Sequence, residues 1–208
     1  IIKKNIIYNK KYIIKNILND EIIKKQWKIK YDYIPNEYDI YGLNNEYHRI
    51  HFDYCKNLMT IIPETEECIN ILNKQNIMIG YNSELNDMNT NIIINKLKKN
   101  NINFNSNINN IKPENIIRVD NNISTIQSII GGGDWIVGVS RWSIHMDIYN
   151  IHDAYNLQSY ELKDKIKESK KLLKDAGADF VIETLKELPY IINKINNNSK
   201  SLIYYNTK

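Results

Sequence analysis

Polar residues stand at three places where short apolar runs end, which is where an open α/β sheet presents groups to a ligand. Asn82-Ser83 closes the run 76–81 (NIMIGY), Asp120-Asn121 closes 116–119, and Arg141-Trp142 follows 135–139. If these runs are neighbouring strands, the three polar ends converge on one pocket. Other spacings point to structure instead. Gly131-Gly132-Gly133 follows a helical pattern and precedes a strand, the reverse of the order a phosphate cradle needs, so it reads as a tight turn. His48 and His51 share a helix face near Asp53, but a helical zinc motif spaces its histidines by four with a glutamate between them. His145 and His152 flank a loop without an evident base partner, and Ser83, Ser124 and Ser143 lack the G-x-S-x-G elbow of a nucleophilic serine.

The elements that must hold these groups follow from periodicity. Residues 10–30 read as helix, with Asn19 or Asp20 as an internal N-cap and Ile22, Ile23 and Trp27 restarting the apolar stripe. A second long helix covers 36–60 beyond Pro35. Pro63 opens a third helix, and Glu64, Glu66 and Glu67 suit the positive end of its dipole. The pattern then alternates. A strand is predicted over 76–81, a helix over 86–99, a strand over 116–119 and a helix over 123–130. A strand follows over 135–139, then an amphipathic helix over 160–176 ending at Gly177. Last come a strand over 180–182 and a helix over 185–195. Such alternation with short apolar strands predicts a parallel sheet covered by helices on both faces. No strand separates the two leading helices, which therefore form a helical hairpin of their own.

Composition bounds the alternatives. Hydrophobic residues make up 42% and charged residues 25% of the 208, close to globular norms, so a packed core is feasible. Ile and Asn together supply about a third of the chain, and Ala occurs only at 154, 176 and 178, the mark of an AT-rich coding sequence. Much of the Asn and Lys content is therefore mutational colour. No apolar stretch is long enough for a transmembrane helix. Cys55 and Cys68 are too few for a disulfide scaffold. The net charge of +4 comes from scattered lysines, not from a basic stripe, so no nucleic-acid partner is expected. Residues 1–9 lack the pattern of a secretory signal, which makes the cytoplasm the expected location.

Two stretches carry a resemblance. Residues 133–196, from GDWIVGV through LKDAGADFVIETLKELPYIINKIN, are similar to the C-terminal end of the phosphonoacetaldehyde hydrolases of the haloacid dehalogenase superfamily. Residues 61–88, IIPETEECINILNKQNIMIGYNSELNDM, resemble that family's proline-led helix, strand and phosphate-contacting turn. The resemblance covers most of the chain, with a gap around 100–115. It implies a Rossmann-like α/β core with a parallel sheet over 61–196 and an N-terminal α-helical cap over 1–60, while composition marks a low-complexity loop at 100–115 and a polar tail at 197–208.

The chemistry it implies is hydrolysis of a carbon–phosphorus bond in a small phosphonate. A cap lysine forms a Schiff base with the aldehyde, an aspartate attacks phosphorus, and Mg2+ offsets charge. The lysine falls at Lys10, with Lys11 adjacent. The phosphate-binding turn falls at Asn82 or Ser83, and the metal-binding motif at Asp120 and Asn121. Three departures stand out. The second aspartate of the metal motif is Asn121, and a later acidic position is Thr125. Residues 1–208 also contain no strand ending in Asp-x-x-Gly-Thr, the segment that carries the nucleophile ahead of the cap. Two readings follow: an enzyme whose nucleophile lies upstream of Ile1, or a relative whose site has decayed to a binding or interaction module. The resemblance also implies a homodimer.

Overall fold

The computed structural model describes residues 10–57, 60–81, 87–104, 111–148 and 151–205. The chain divides into two compact units. One comprises Ile1–Met59 with Glu84–Ile94, the other Thr60–Ser83 with Asn95–Lys208.

The first unit is helical. α1 (Lys10–Asn19) and α2 (Glu21–Tyr31) are separated by Asp20, whose carboxylate accepts from the N–H groups of Ile22 and Ile23. Of the two cap candidates in the sequence, Asn19 and Asp20, Asp20 is the one that caps α2. Asp32 at φ 63° closes α2, and α3 (Glu37–Asn57) follows beyond Pro35. α1 packs on α3. Lys15 of α1 also reaches Glu37 of α3 at 2.9 Å.

The second unit is a layered α/β fold. α4 (Thr65–Lys74) starts two residues after Pro63, and α5 (Asp87–Lys99) runs from the first unit into the second. Then come β1 (Ile117–Asp120), α6 (Ile123–Ile129), β2 (Trp135–Val139), α7 (Ile151–Asn156), α8 (Ser159–Asp175), β3 (Phe180–Ile182) and α9 (Leu188–Tyr205). The three strands form one parallel sheet in the order β1-β2-β3, with Val119 beside Val137 and Gly138 beside Val181.

A central parallel strand must be apolar on both faces because helices cover both. β2 meets this demand residue by residue. Val137 and Val139 pack with Cys68 and Leu72 of α4, Ile182 of β3, and Leu188 and Ile192 of α9. Ile136 faces the other way, into a cluster with Ile126 of α6, Leu173 and Ala176. Gly138 belongs to that second face, where a Cβ would lie 3.1 Å from the Leu173 Cβ. The fold class expected from the sequence is the one observed.

The strand predicted over 76–81 is a correction. Asn76 sits at φ 57° and the Ile77 N–H donates to the Leu72 carbonyl, so this stretch first closes the C-terminus of α4. Residues 77–81 continue without joining the sheet, although Ile77 and Ile79 pack on its core. The apolar run reports burial here, and burial alone does not create a ladder.

Gly177 ends α8 at φ +105°, and a Cβ there would meet Ile130 Cδ1 at 2.5 Å. Gly177→Ala should therefore cost about 1–3 kcal/mol of stability, read as a lower urea midpoint at unchanged slope. An unchanged midpoint would show that this turn tolerates a side chain.

Candidate functional site

Parallel strands place all their C-terminal ends at one edge, so the polar loops after β1, β2 and β3 gather there. At the end of β1 four consecutive amides are satisfied by three side chains. Asp120 Oδ1 accepts from the N–H groups of Asn121 and Asn122, both at 2.8 Å. His145 Nε2 accepts from the Ile123 N–H at 3.3 Å, and Asn122 Oδ1 accepts from the Ser124 N–H at 3.0 Å. Asn122 is the N-cap of α6, as Asn residues commonly are.

The loop after β2 is tied down from two sides. The Ser140 hydroxyl donates to the Ile182 carbonyl of β3, and Ser169 of α8 donates to the Ser140 carbonyl, both at 3.0 Å. Lys165 of α8 donates to the Met146 carbonyl at 2.9 Å. Beyond β3, Glu183 takes Arg141 at 3.0 Å and Lys170 at 3.3 Å, so one carboxylate joins the ends of β2 and β3 to α8. Asn121 connects this loop to β1 by donating its Nδ2 to the Trp142 carbonyl at 2.7 Å.

Of the residues singled out from the sequence, Asp120 and Asn121 therefore lie together beside Arg141-Trp142 at the strand ends. Asn82 and Ser83 lie outside the described residues. Lys10 opens α1 in the helical unit, and its side chain also lies outside the described part. His51 contacts Cys55 Sγ at 3.4 Å and Asn89 Nδ2 at 3.0 Å through its Nδ1, so it serves a buried polar contact between α3 and α5. Asp53 pairs with Arg49. Among the described residues no three His, Cys, Asp or Glu side chains come together as a metal site.

Three contributors escaped the sequence reading. Glu183 directly follows an apolar run, and the rule that found Asp120 and Arg141 would have found it. Ser169 gave no signal, because a serine on an amphipathic helix reads as part of the wet face. His145 has its partner in a backbone N–H, which side-chain spacing does not reveal.

Asp120 and Asn121 do not fit Mg2+. The ion takes near-ideal octahedral oxygen coordination. Here one oxygen of Asp120 already accepts two N–H bonds, and Asn121, whose Nδ2 donates to the Trp142 carbonyl, offers a neutral carbonyl oxygen. The orphaned polar atom of this loop, the buried Trp142 Nε1, is a donor and suits an acceptor rather than a cation.

No family model matches the chain. It is 27% identical over 199 residues, 85% of its own length, to a bifunctional phosphonoacetaldehyde hydrolase/aminoethylphosphonate transaminase of Clostridioides difficile (strain 630). That match spans 31% of the bifunctional protein, so the chain covers about a third of that relative. It is 24% identical to the phosphonoacetaldehyde hydrolase of Bacillus cytotoxicus, covering 83% of this chain and 74% of that one. The crystal structure of a phosphonoacetaldehyde hydrolase-like protein from Oleispira antarctica superposes with a TM-score of 0.76 at 21% identity. It covers 90% of this chain and 76% of that one. These matches support a phosphonatase-like relationship within the haloacid dehalogenase superfamily, at low identity. The structural likeness, at 21% identity, bears on the fold alone. Among its described residues no helix is long and apolar enough to cross a membrane.

Burial lowers the His145 pKa, and nearby Asp147 opposes that shift. The neutral ring is the form that accepts from Ile123. A histidine whose folded pKa is depressed contributes full stability above its unfolded value, near 6.5, and loses it as the pH falls below that value. The melting temperature of the wild type should therefore fall more steeply below about pH 6.5 than that of His145→Gln, whose side-chain oxygen accepts without titrating. Parallel profiles would remove His145 from the acid response.

Proposed function

We propose that residues 1–208 carry the cap and most of the core of a phosphonatase-like hydrolase of a small phosphonate or phosphate, whose nucleophilic aspartate comes from a strand not contained in 1–208. The observation that carries this reading is the sheet edge. Among the described residues β1 pairs with β2 alone, and Val119 is 38% exposed beside the candidate turn. An edge strand with an uncovered valine is a template for another strand. A parallel strand added there would place its C-terminal residue next to Asp120.

In this reading Lys10 Nζ attacks the aldehyde carbon of the substrate and water leaves, giving an iminium. The incoming aspartate attacks phosphorus, and the electron pair of the breaking carbon–phosphorus bond flows into the iminium. The resulting enamine gains a proton and is hydrolysed to acetaldehyde, and water releases phosphate from the aspartate. Magnesium belongs to the family chemistry, but no step is assigned to it here because the donor set at 120–121 does not suit it. The homodimer implied by the resemblance belongs to the same reading. It is supported by the exposed apolar side chains of the helical unit, Ile22, Ile29, Tyr41 and Ile50 among them.

A second reading is favoured by the turn itself. Asn121 and Thr125 stand where the family carries acidic residues, and the turn amides are satisfied internally. A chain that has lost catalysis and kept the fold as a binding module would look the same at this turn.

Borohydride trapping separates the two. With phosphonoacetaldehyde, the wild type should give one reduced adduct per chain that maps to Lys10. The adduct should fall to background in Lys10→Ala and persist in Lys11→Ala. Labelling that survives Lys10→Ala, or that spreads over the surface lysines, would contradict the enzymatic reading of this lysine.

A further inference from the structure

We infer that the turn ending β1 is ordered by the loop after β2 and needs no divalent cation, with Asn121 as the positioning residue that keys one to the other. The inference goes beyond the proposed function, because it concerns how residues 120–124 are held whether or not the protein turns over a substrate.

Asn121 is the hinge of the argument. Its own N–H is taken by Asp120 Oδ1 and its Nδ2 donates to the Trp142 carbonyl, so both interactions serve the protein. The orientation of the amide is fixed by chemistry, because two carbonyl oxygens could not face each other at 2.7 Å. An aspartate at this position has no donor for Trp142, and two adjacent carboxylates would repel unless a cation lay between them. The asparagine removes that charge and supplies a hydrogen bond. The acceptor it uses is itself fixed, since Ser169 and Lys165 of α8 hold Ser140 and Met146 on either side of Trp142. His145, from the same loop, closes the Ile123 amide. The β2 loop thus supplies two contacts to the β1 turn, and Asp120 and Asn122 satisfy its remaining amides. A metal ion would add order to a segment that these contacts already order.

The test is thermal unfolding of the chain in EDTA and in MgCl2, with Mn2+ binding followed by electron paramagnetic resonance. The wild type should melt at the same temperature in both solutions and should leave Mn2+ free. Asn121→Ala, which abandons the Trp142 carbonyl, should melt about 2–6 °C lower, and Asn121→Asp should melt lower than wild type in EDTA. A saturable rise in wild-type melting temperature with Mg2+, or stoichiometric capture of Mn2+, would overturn the inference. So would an Asn121→Asp protein as stable as wild type in EDTA. Should either variant fail to fold, the wild-type measurements decide alone. Imine trapping at Lys10 reads a different unit of the chain, so failure there leaves this inference standing.

Discussion

The parallel direction of the three strands is the constraint from which the rest follows. Parallel pairing obliges each strand to return through a helix, so β2 is covered on both faces and must be apolar throughout. Val137, Val139, Ile136 and the small Gly138 satisfy that demand, with Leu173 filling the space a larger residue at 138 would need. The same direction brings every strand's C-terminus to one edge. The polar residues excluded from the core therefore meet there, so that Asn121 reaches Trp142, Ile123 reaches His145 and Arg141 reaches Glu183 across the gaps between strands.

How those neighbours are used distinguishes this chain. Glu183 faces both Arg141 and Lys170, and Glu187 Oε1 accepts from the Glu183 and Thr184 N–H groups at the same end. At the β1 end Asp120 faces backbone amides, and Asp147 lies near His145. A site built around a hard divalent ion concentrates carboxylates, whereas this edge disperses them. Hydrogen bonds cross between the loops after β1 and β2, from Asn121 Nδ2 to the Trp142 carbonyl and from the Ile123 N–H to His145 Nε2.

The elements were legible where periodicity and caps agreed. Asn19 and Asp20 were the two candidates for the cap between α1 and α2, of which Asp20 is the one used, and Gly177 marked the end of α8. The run 76–81 misled because its alternating isoleucines record burial against the core, while pairing depends on which neighbour is present. At the site, Asp120, Asn121 and Arg141 were visible as polar residues after apolar runs. Ser169 and His145 were not, since a hydroxyl donating to a carbonyl and a ring accepting from an amide are tertiary contacts without a residue pattern. The family resemblance placed the whole but not these details. At 21–27% identity to the relatives described, it bears on the fold and leaves the chemistry of the turn to be read from the side chains present.

The proposed hydrolase needs a nucleophile strand that residues 1–208 do not contain. Intact mass and N-terminal sequencing of the native protein from its source test that most directly. The hydrolase reading predicts a mass well above 24.6 kDa and a strand ending in Asp-x-x-Gly-Thr ahead of Ile1. A native chain that begins at Ile1 would contradict it, and the fold would then stand as a binding module built on a retired catalytic scaffold.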